Sequence, residues 1–158
     1  MMENKGKLYL MMGISGAGKS TWLSHNAKDG EVIVSRDQIR FGMLQNGDDY
    51  FDHEDEVFDT FITTIQTNLQ QGKTVYADAT HLTKKGRAKV LHRVSMFAEE
   101  IGVVWIKASL STALKQNAQR EGLACVPSYV IRRMLETLEA PIKEEGFDTI
   151  TIIDERRR

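Results

Sequence analysis

A chain of 158 residues with 41% hydrophobic content can build one core, because folding at this size hides about 68–70% of the unfolded surface without help from disulfides. Its 21 Lys and Arg against 22 Asp and Glu give a net charge of −1, which excludes a protein that coats nucleic acid through bulk charge, though not a local basic groove. The single cysteine, Cys125, excludes an internal disulfide and a multi-cysteine metal knuckle.

No apolar run approaches the roughly 18–20 residues that span a bilayer. The start, Met1-Met2-Glu3-Asn4-Lys5, lacks the apolar core of a signal peptide, so a soluble protein in a reducing, cytoplasmic setting is expected.

Apolar runs alternate with amphipathic stretches, the pattern of an α/β fold with a parallel sheet. Residues 8–12 form a short apolar run and predict a buried strand. A glycine-rich turn at 13–18 and a helix over about 19–27 follow. Residues 31–34 predict a second strand, 37–44 a short helix and 45–52 a polar loop. From about 53 to 71 the apolar residues Phe58, Phe61, Ile62, Ile65 and Leu69 recur at three- and four-residue spacing, so one face of a long helix is apolar. Gly72 is its expected stop. A strand over 74–77 ends at Asp78. A helix over about 84–100, with Ala88, Leu91, Val94 and Ala98 inward and Gly102 as its stop, leads to a fourth strand at 103–106. Helices over 112–120 and 128–138 flank a loop at 121–127, and residues 149–153 predict the last strand. The expected architecture is a three-layer sandwich with a five-stranded, mostly parallel sheet and a helical lid at about 116–140. A single domain over 1–158 is expected.

Gly13-Ile14-Ser15-Gly16-Ala17-Gly18-Lys19-Ser20 matches G-x-x-x-x-G-K-[ST] at every fixed position. Glycines let the backbone turn tightly and aim several N–H groups at one point. A helix starting near Lys19 adds its positive end. The Lys19 ammonium suits the β- and γ-phosphates of a nucleotide, and the hard Ser20 hydroxyl suits Mg²⁺. Gly13, Ser15, Gly16, Ala17, Gly18, Lys19, Ser20 and Thr21 are therefore the expected nucleotide-binding residues, with ATP and Mg as cofactors. A G-x-S-x-G nucleophile elbow is nearly spelled by residues 13–17, but Ala17 breaks it.

Asp78 closes an apolar run, and a carboxylate at the carboxyl end of a parallel strand faces the ligand crevice. It is a candidate metal-positioning group, directly or through a water. The other reading is a cap for the next helix. Asp37 lies just beyond the second strand, and Arg40 follows three residues later, so the two share a helix face. A carboxylate that takes a hydroxyl proton beside a guanidinium that holds an acceptor phosphate is a kinase acceptor site in outline. An ordinary i,i+3 ion pair explains the same spacing.

These blocks resemble a known family. Gly13–Ser20 with Thr21-Trp22, then Ser35-Arg36-Asp37-Gln38-Ile39-Arg40, then Asp78-Ala79-Thr80-His81-Leu82, then Asn117-Ala118-Gln119-Arg120 with Val126-Pro127 and Val130-Ile131-Arg132-Arg133-Met134 are similar, in that order, to the kinase module of phage-type polynucleotide 5′-kinases. The resemblance covers nearly the whole chain. It implies ATP-dependent phosphorylation of a 5′-hydroxyl nucleic-acid end. It implies that Lys19 and Ser20 contact phosphate and metal, that Asp37 is the general base, and that Arg40 grips the acceptor phosphate. It further implies that Asp78 is an active-site carboxylate and that Arg120 is the lid arginine on the donor phosphates. The chain departs from the family where lid basic residues are replaced by Gln116, Asn117 and Gln119, with Arg132 and Arg133 as substitutes from the next helix. No D-x-D motif is present for a 3′-phosphatase.

Charge is unevenly spread. Lys84, Lys85, Arg87, Lys89 and Arg93 crowd residues 83–93, with Lys85, Lys89 and Arg93 four apart on one helical face. Such a row can track a phosphate backbone or be a plain solvated face. Seven acidic residues crowd 48–59, which opposes a long polyanion and favours a small hydroxyl metabolite as acceptor. A nucleotide-switched binding module is the third reading. Tyr50 and Phe51 suit either base stacking or loop anchoring. His81 reads as a surface histidine, Cys125 as a buried small hydrophobe, Trp22 and Trp105 as packing residues, and Arg156–Arg158 as a mobile basic tip.

Overall fold

The structure is a computed structural model that describes residues 4–154; the basic tip at Arg156–Arg158 lies outside them. Five strands, β1 (Gly6–Met12), β2 (Val32–Ser35), β3 (Val75–Asp78), β4 (Ala98–Lys107) and β5 (Thr149–Asp154), form one sheet in the order β2-β3-β1-β4-β5. All four neighbouring pairs are parallel, so the sheet is more uniform than the mostly parallel one expected. Parallel neighbours require crossovers. Helices α1 (Lys19–Asn26), α2 (Arg36–Met43), α3 (Glu54–Gln70), α4 (Lys84–Val94), α5 (Leu110–Asn117) and α6 (Ser128–Thr137) lie between the strands.

Successive side chains of a strand point to opposite faces. Leu8, Leu10 and Met12 of β1 join Phe61, Ile62 and Ile65 of α3 and Val90 and Leu91 of α4 in one core. Met11 joins Leu23 of α1, Ala113 of α5 and Ile131 of α6 in the other. Covering both faces makes the central strands β1 and β3 apolar over residues 8–12 and 75–77, which is why continuous runs marked them in the sequence.

Two expected boundaries move. The helix predicted over 84–100 ends at Val94, and the chain passes through a 3₁₀ turn at Ser95–Phe97 into β4 at Ala98. Gly102 is therefore a strand residue rather than a helix stop. It pairs with Tyr9 on one side and Thr149 on the other. A Cβ there would stand 2.4 Å from Thr149 Oγ1 and 2.8 Å from Tyr9 Cδ1, so close packing rather than a turn selects glycine. Ala88 is exposed and Val90 buried, so the inward face of α4 is rotated from the expected one. The helix predicted over 112–120 starts earlier, because the Ser109 hydroxyl accepts from the Thr112 N–H at 3.1 Å and caps it.

Register places the functional edge. Met11 and Ser35 both lie opposite Asp78, so β1, β3 and β2 end in one row. The loops after them leave from the same side of the sheet.

Candidate active site

The loop after β1 is shaped by its glycines. Gly16 has φ +83° and Gly18 φ +106°, values that side-chain-bearing residues seldom adopt. A Cβ on Gly16 would also stand 2.2 Å from the Ala113 carbonyl oxygen, so the loop sits directly against α5. Ile14, Ser15 and Ala17 are buried beneath it. Gly18 precedes α1 and gives it no side-chain cap, which leaves the N–H groups of the first turn available to an anion. Lys19 Nζ donates to Gly13 O at 2.9 Å and to Ile14 O at 3.4 Å, so the ammonium folds back over the cradle. Burial lowers the Lys19 pKa, opposed by Asp78 and Asp37 and reinforced by Arg120. Ser20 and Thr21 are exposed at the start of α1.

Those relations show which distant residues the fold collects. Asp78, at the end of β3, feels Lys19, Asp37 and Arg120; burial raises its pKa above the usual carboxylate range, Lys19 and Arg120 pull it down, and Asp37 pushes it up. Lys19, Asp37, Asp78 and Arg120 thus lie within electrostatic reach of one another, from four separate stretches of chain. Among the described residues no group of three or more His, Cys, Asp or Glu could hold a metal. A cation here would have to be shared with ligand phosphates. The exposed Ser20 hydroxyl and the Asp78 carboxylate are the hard oxygen donors suited to Mg²⁺ in that arrangement.

Asp37 and Arg40 make a direct ion pair in the first turns of α2. The pair is part of a larger network. Arg40 is 4% exposed, and its Nη2 donates to Glu54 Oε1 and Oε2 at 2.9 and 2.8 Å. Its Nη1 donates to Asp37 Oδ1 and, at 2.9 Å, to the Tyr50 hydroxyl. The Tyr50 hydroxyl donates in turn to Asp37 Oδ1 at 2.6 Å. The Arg40 guanidinium carbon lies 4.3 Å from the Tyr50 ring centroid, a cation–π contact. Arg36 also donates to Glu54. Tyr50 therefore anchors its loop, whereas Phe51 is 68% exposed. Burial and the Asp37 charge both raise the Tyr50 pKa, so the phenol stays protonated as a donor.

Arg120 lies beyond the end of α5, exposed, with Nη1 at 3.4 Å from Ala124 O. Its loop is held by buried Asn117, whose Nδ2 donates to Val126 O at 2.7 Å and whose Oδ1 accepts from Val126 N at 3.0 Å. Between the last turn of α2 and this lid segment opens a groove of about 390 Å³, walled by Phe41, Leu44, Leu123 and Ala124. Phe41 follows Asp37 by one helical turn.

Three assignments change, at His81, Arg87 and Cys125. His81 is not a surface residue: it is 7% exposed with φ +46°, and its Nδ1–H donates to Met11 O at 2.6 Å. The positive φ turns the ring under the sheet edge. Arg87 is withdrawn from the basic stretch at 83–93, because its side chain is fully buried against Glu145. Cys125 is partly exposed rather than buried. Lys85, Lys89 and Arg93 remain as an exposed row on α4, with Lys89 Nζ 4.5 Å from the Phe58 ring centroid and Arg36 5.2 Å from the same ring. Trp105 packs in the core and Trp22 meets Tyr76 edge-on.

Glu54 carries no mark in the sequence as a site-forming residue, and Asn117, expected as a polar replacement in the lid, is the anchor of the lid loop. Glu54 was one acid among seven, and only its position opposite two arginines distinguishes it. No described helix is long and apolar enough to cross a membrane.

A parallel sheet in this order, with a glycine-rich loop after its central strand, Asp78 ending the adjacent β3 and Asp37 just beyond β2, has the P-loop kinase fold. The chain belongs to the AAA domain family, whose model matches residues 8–141. No curated protein matches it significantly by sequence. Among solved structures, a chain of the Pnkp1/Rnl/Hen1 RNA repair complex is similar at TM-score 0.71 and 17% identity; the match covers 87% of this chain and 45% of the other, so this chain spans under half of that protein. A sugar kinase from Janibacter sp. HTCC2649 is similar at TM-score 0.65 and 17% identity, covering 97% and 87%. A gluconokinase from Sinorhizobium meliloti 1021 is similar at TM-score 0.60 and 21% identity, covering 97% and 84%. These likenesses establish the fold.

Proposed function

We propose that the protein is an ATP- and Mg-dependent kinase that phosphorylates a hydroxyl, with the 5′-hydroxyl of a nucleic-acid end as acceptor. The observation that carries the kinase reading is the glycine-rich loop after β1, with Lys19 Nζ folded onto Gly13 O, on the same sheet edge as Asp78 at the end of β3 and Asp37 just beyond β2. Bound Mg²⁺ would supply charge neutralisation on the donor phosphates. Lys19 and the loop N–H groups hold those phosphates, and Ser20 and Asp78 offer the metal its protein ligands. Arg120 meets charge that spreads over the transferred group. Asp37 takes the proton of the attacking hydroxyl through its half-exposed carboxylate. Catalysis of this kind rests on positioning and charge.

The nucleic-acid acceptor is supported by the exposed row Lys85, Lys89 and Arg93, whose middle member Lys89 shares the Phe58 ring with Arg36, the chain neighbour of Asp37. One observation favours a small uncharged hydroxyl compound instead: Arg40, the expected phosphate grip, is already neutralised by Asp37 and Glu54. Labelled phosphate transfer from ATP to 5′-hydroxyl oligonucleotides, nucleosides and sugars separates the two. Transfer to oligonucleotides is expected. Transfer to nucleosides or sugars alone overturns the nucleic-acid acceptor and keeps the kinase. Asp37→Asn should bind ATP normally and transfer roughly 10²- to 10⁴-fold more slowly; equal turnover by the variant removes Asp37 from the mechanism.

A further inference from the structure

Asp37 is held at one oxygen and open at the other. Its Oδ1 accepts from Arg40 and, at 2.6 Å, from the Tyr50 hydroxyl. Its Oδ2 makes no hydrogen bond among the described residues, and half of the side chain is exposed. A carboxylate on α2 alone would sample several rotamers. With Oδ1 pinned from two directions, the remaining lone pairs point out of the network.

Arg40 reaches Asp37 through Nη1 alone. Its guanidinium is buried beside two carboxylates, and Glu54 takes both Nη2 hydrogens. The Tyr50 hydroxyl accepts from Arg40 Nη1 and donates to Asp37, so it joins the base to the cation. Tyr50 is held in turn by edge contacts from Phe41 and Phe51. Phe41 also walls the groove between α2 and the lid. One side chain therefore touches the carboxylate, its counter-ion and a wall of the groove.

We propose that Tyr50 is a positioning residue of the acceptor half of the site: its hydroxyl locks Asp37 Oδ1 so that Oδ2 faces the acceptor hydroxyl. The proposal rests on Asp37 being the general base and adds a residue that acts through it. No proton is transferred to or from Tyr50. The acceptor proton goes to Asp37 Oδ2 as the hydroxyl oxygen bonds to the γ-phosphorus and the bond from phosphorus to the β–γ bridging oxygen breaks.

Tyr50→Phe keeps the ring on Arg40 and removes only the hydroxyl. With ATP and the acceptor that the panel identifies, kcat should fall roughly 10- to 100-fold while the KM for ATP stays put. In an Asp37→Asn background the same change should cost nothing further, because residues that act as one unit are not additive. Losses that multiply, or an unchanged kcat, overturn the proposal. The single Asp37→Asn variant reports separately on the base, so the two readings fail in different ways. A crystal structure of Tyr50→Phe gives a readout independent of turnover. The Asp37 carboxylate is expected to leave its present orientation, and an unmoved, singly ordered carboxylate overturns the proposal.

Discussion

At φ +46°, His81 points its ring inwards, and the fold keeps it neutral. Burial, together with the charges of Arg36, Lys19 and Arg87, outweighs the hydrogen bond to Met11 and pushes its pKa down to about 4. An unfolded imidazole titrates near 6.5. Between those values the unfolded chain binds a proton that the folded chain refuses, so this contribution to stability is intact above about pH 7 and lost as pH falls towards 4. The full span corresponds to on the order of 3 kcal/mol. Urea unfolding should therefore show falling stability from pH 7 to 4.5, with a flatter profile in His81→Asn. An equal slope in both proteins would assign the loss to other groups. Arg87 makes a second residue-scale case. Its Nε and Nη2 donate to Glu145 at 2.8 and 3.1 Å, and its Nη1 donates to the His81 carbonyl at 2.9 Å. Replacing Glu145 by Leu leaves that guanidinium buried with no counter-ion and should cost about 3–5 kcal/mol. The double change Arg87→Met with Glu145→Leu should unfold at a higher urea concentration than Glu145→Leu alone.

Elements were legible where one local pattern governed them. β1 and β3 showed as apolar runs because helices cover both faces, and α3 showed because its buried stripe keeps helical spacing. β4 was misread at its start. Ala98, Glu99 and Glu100 carry no strand pattern, and only pairing with β1 draws them into the sheet. Gly102 makes the reason testable: in Gly102→Ala the added methyl meets Thr149 and Tyr9, and overpacking of that kind should cost about 1–3 kcal/mol in thermal unfolding. The site follows the same division. Asp37 and Asp78 were found because strand ends in a parallel sheet face the ligand crevice. Tyr50 stood out only as a stacking or loop-anchoring aromatic, and Glu54 not at all, because a loop residue and one acid of seven gain their site role only when the fold sets them against Arg40. Gly16 shows the limit from the other side. Its motif position was plain, but its contact with the Ala113 carbonyl was not. Gly16→Ala adds a methyl where φ is +83° and that oxygen is 2.2 Å away. It should weaken ATP binding at least about 10-fold in a titration, a loss of 1.4 kcal/mol or more.

Across the whole molecule a net charge of −1 conceals two opposed regions. Part of the acidic stretch is used internally: Glu54 neutralises Arg36 and Arg40, and Asp48 contacts the His53 ring. Burial withdraws Arg87 from the basic stretch. What remains outside is Lys84 and the row Lys85, Lys89 and Arg93, none of which forms an ion pair with a described residue. If that row holds a single-stranded acceptor, each contact releases counterions and contributes a slope of about −0.7 to the logarithm of affinity against the logarithm of salt concentration. Three contacts predict a slope near −2 for oligonucleotide binding. Replacing all three by Gln should remove about that much slope. The KM for ATP, held at the glycine-rich loop, should change far less with the same substitutions. Oligonucleotide affinity that is flat in salt, or a triple variant with the parent's slope, would detach the row from the acceptor. It would turn the reading towards a small hydroxyl compound bound in the groove between α2 and the lid.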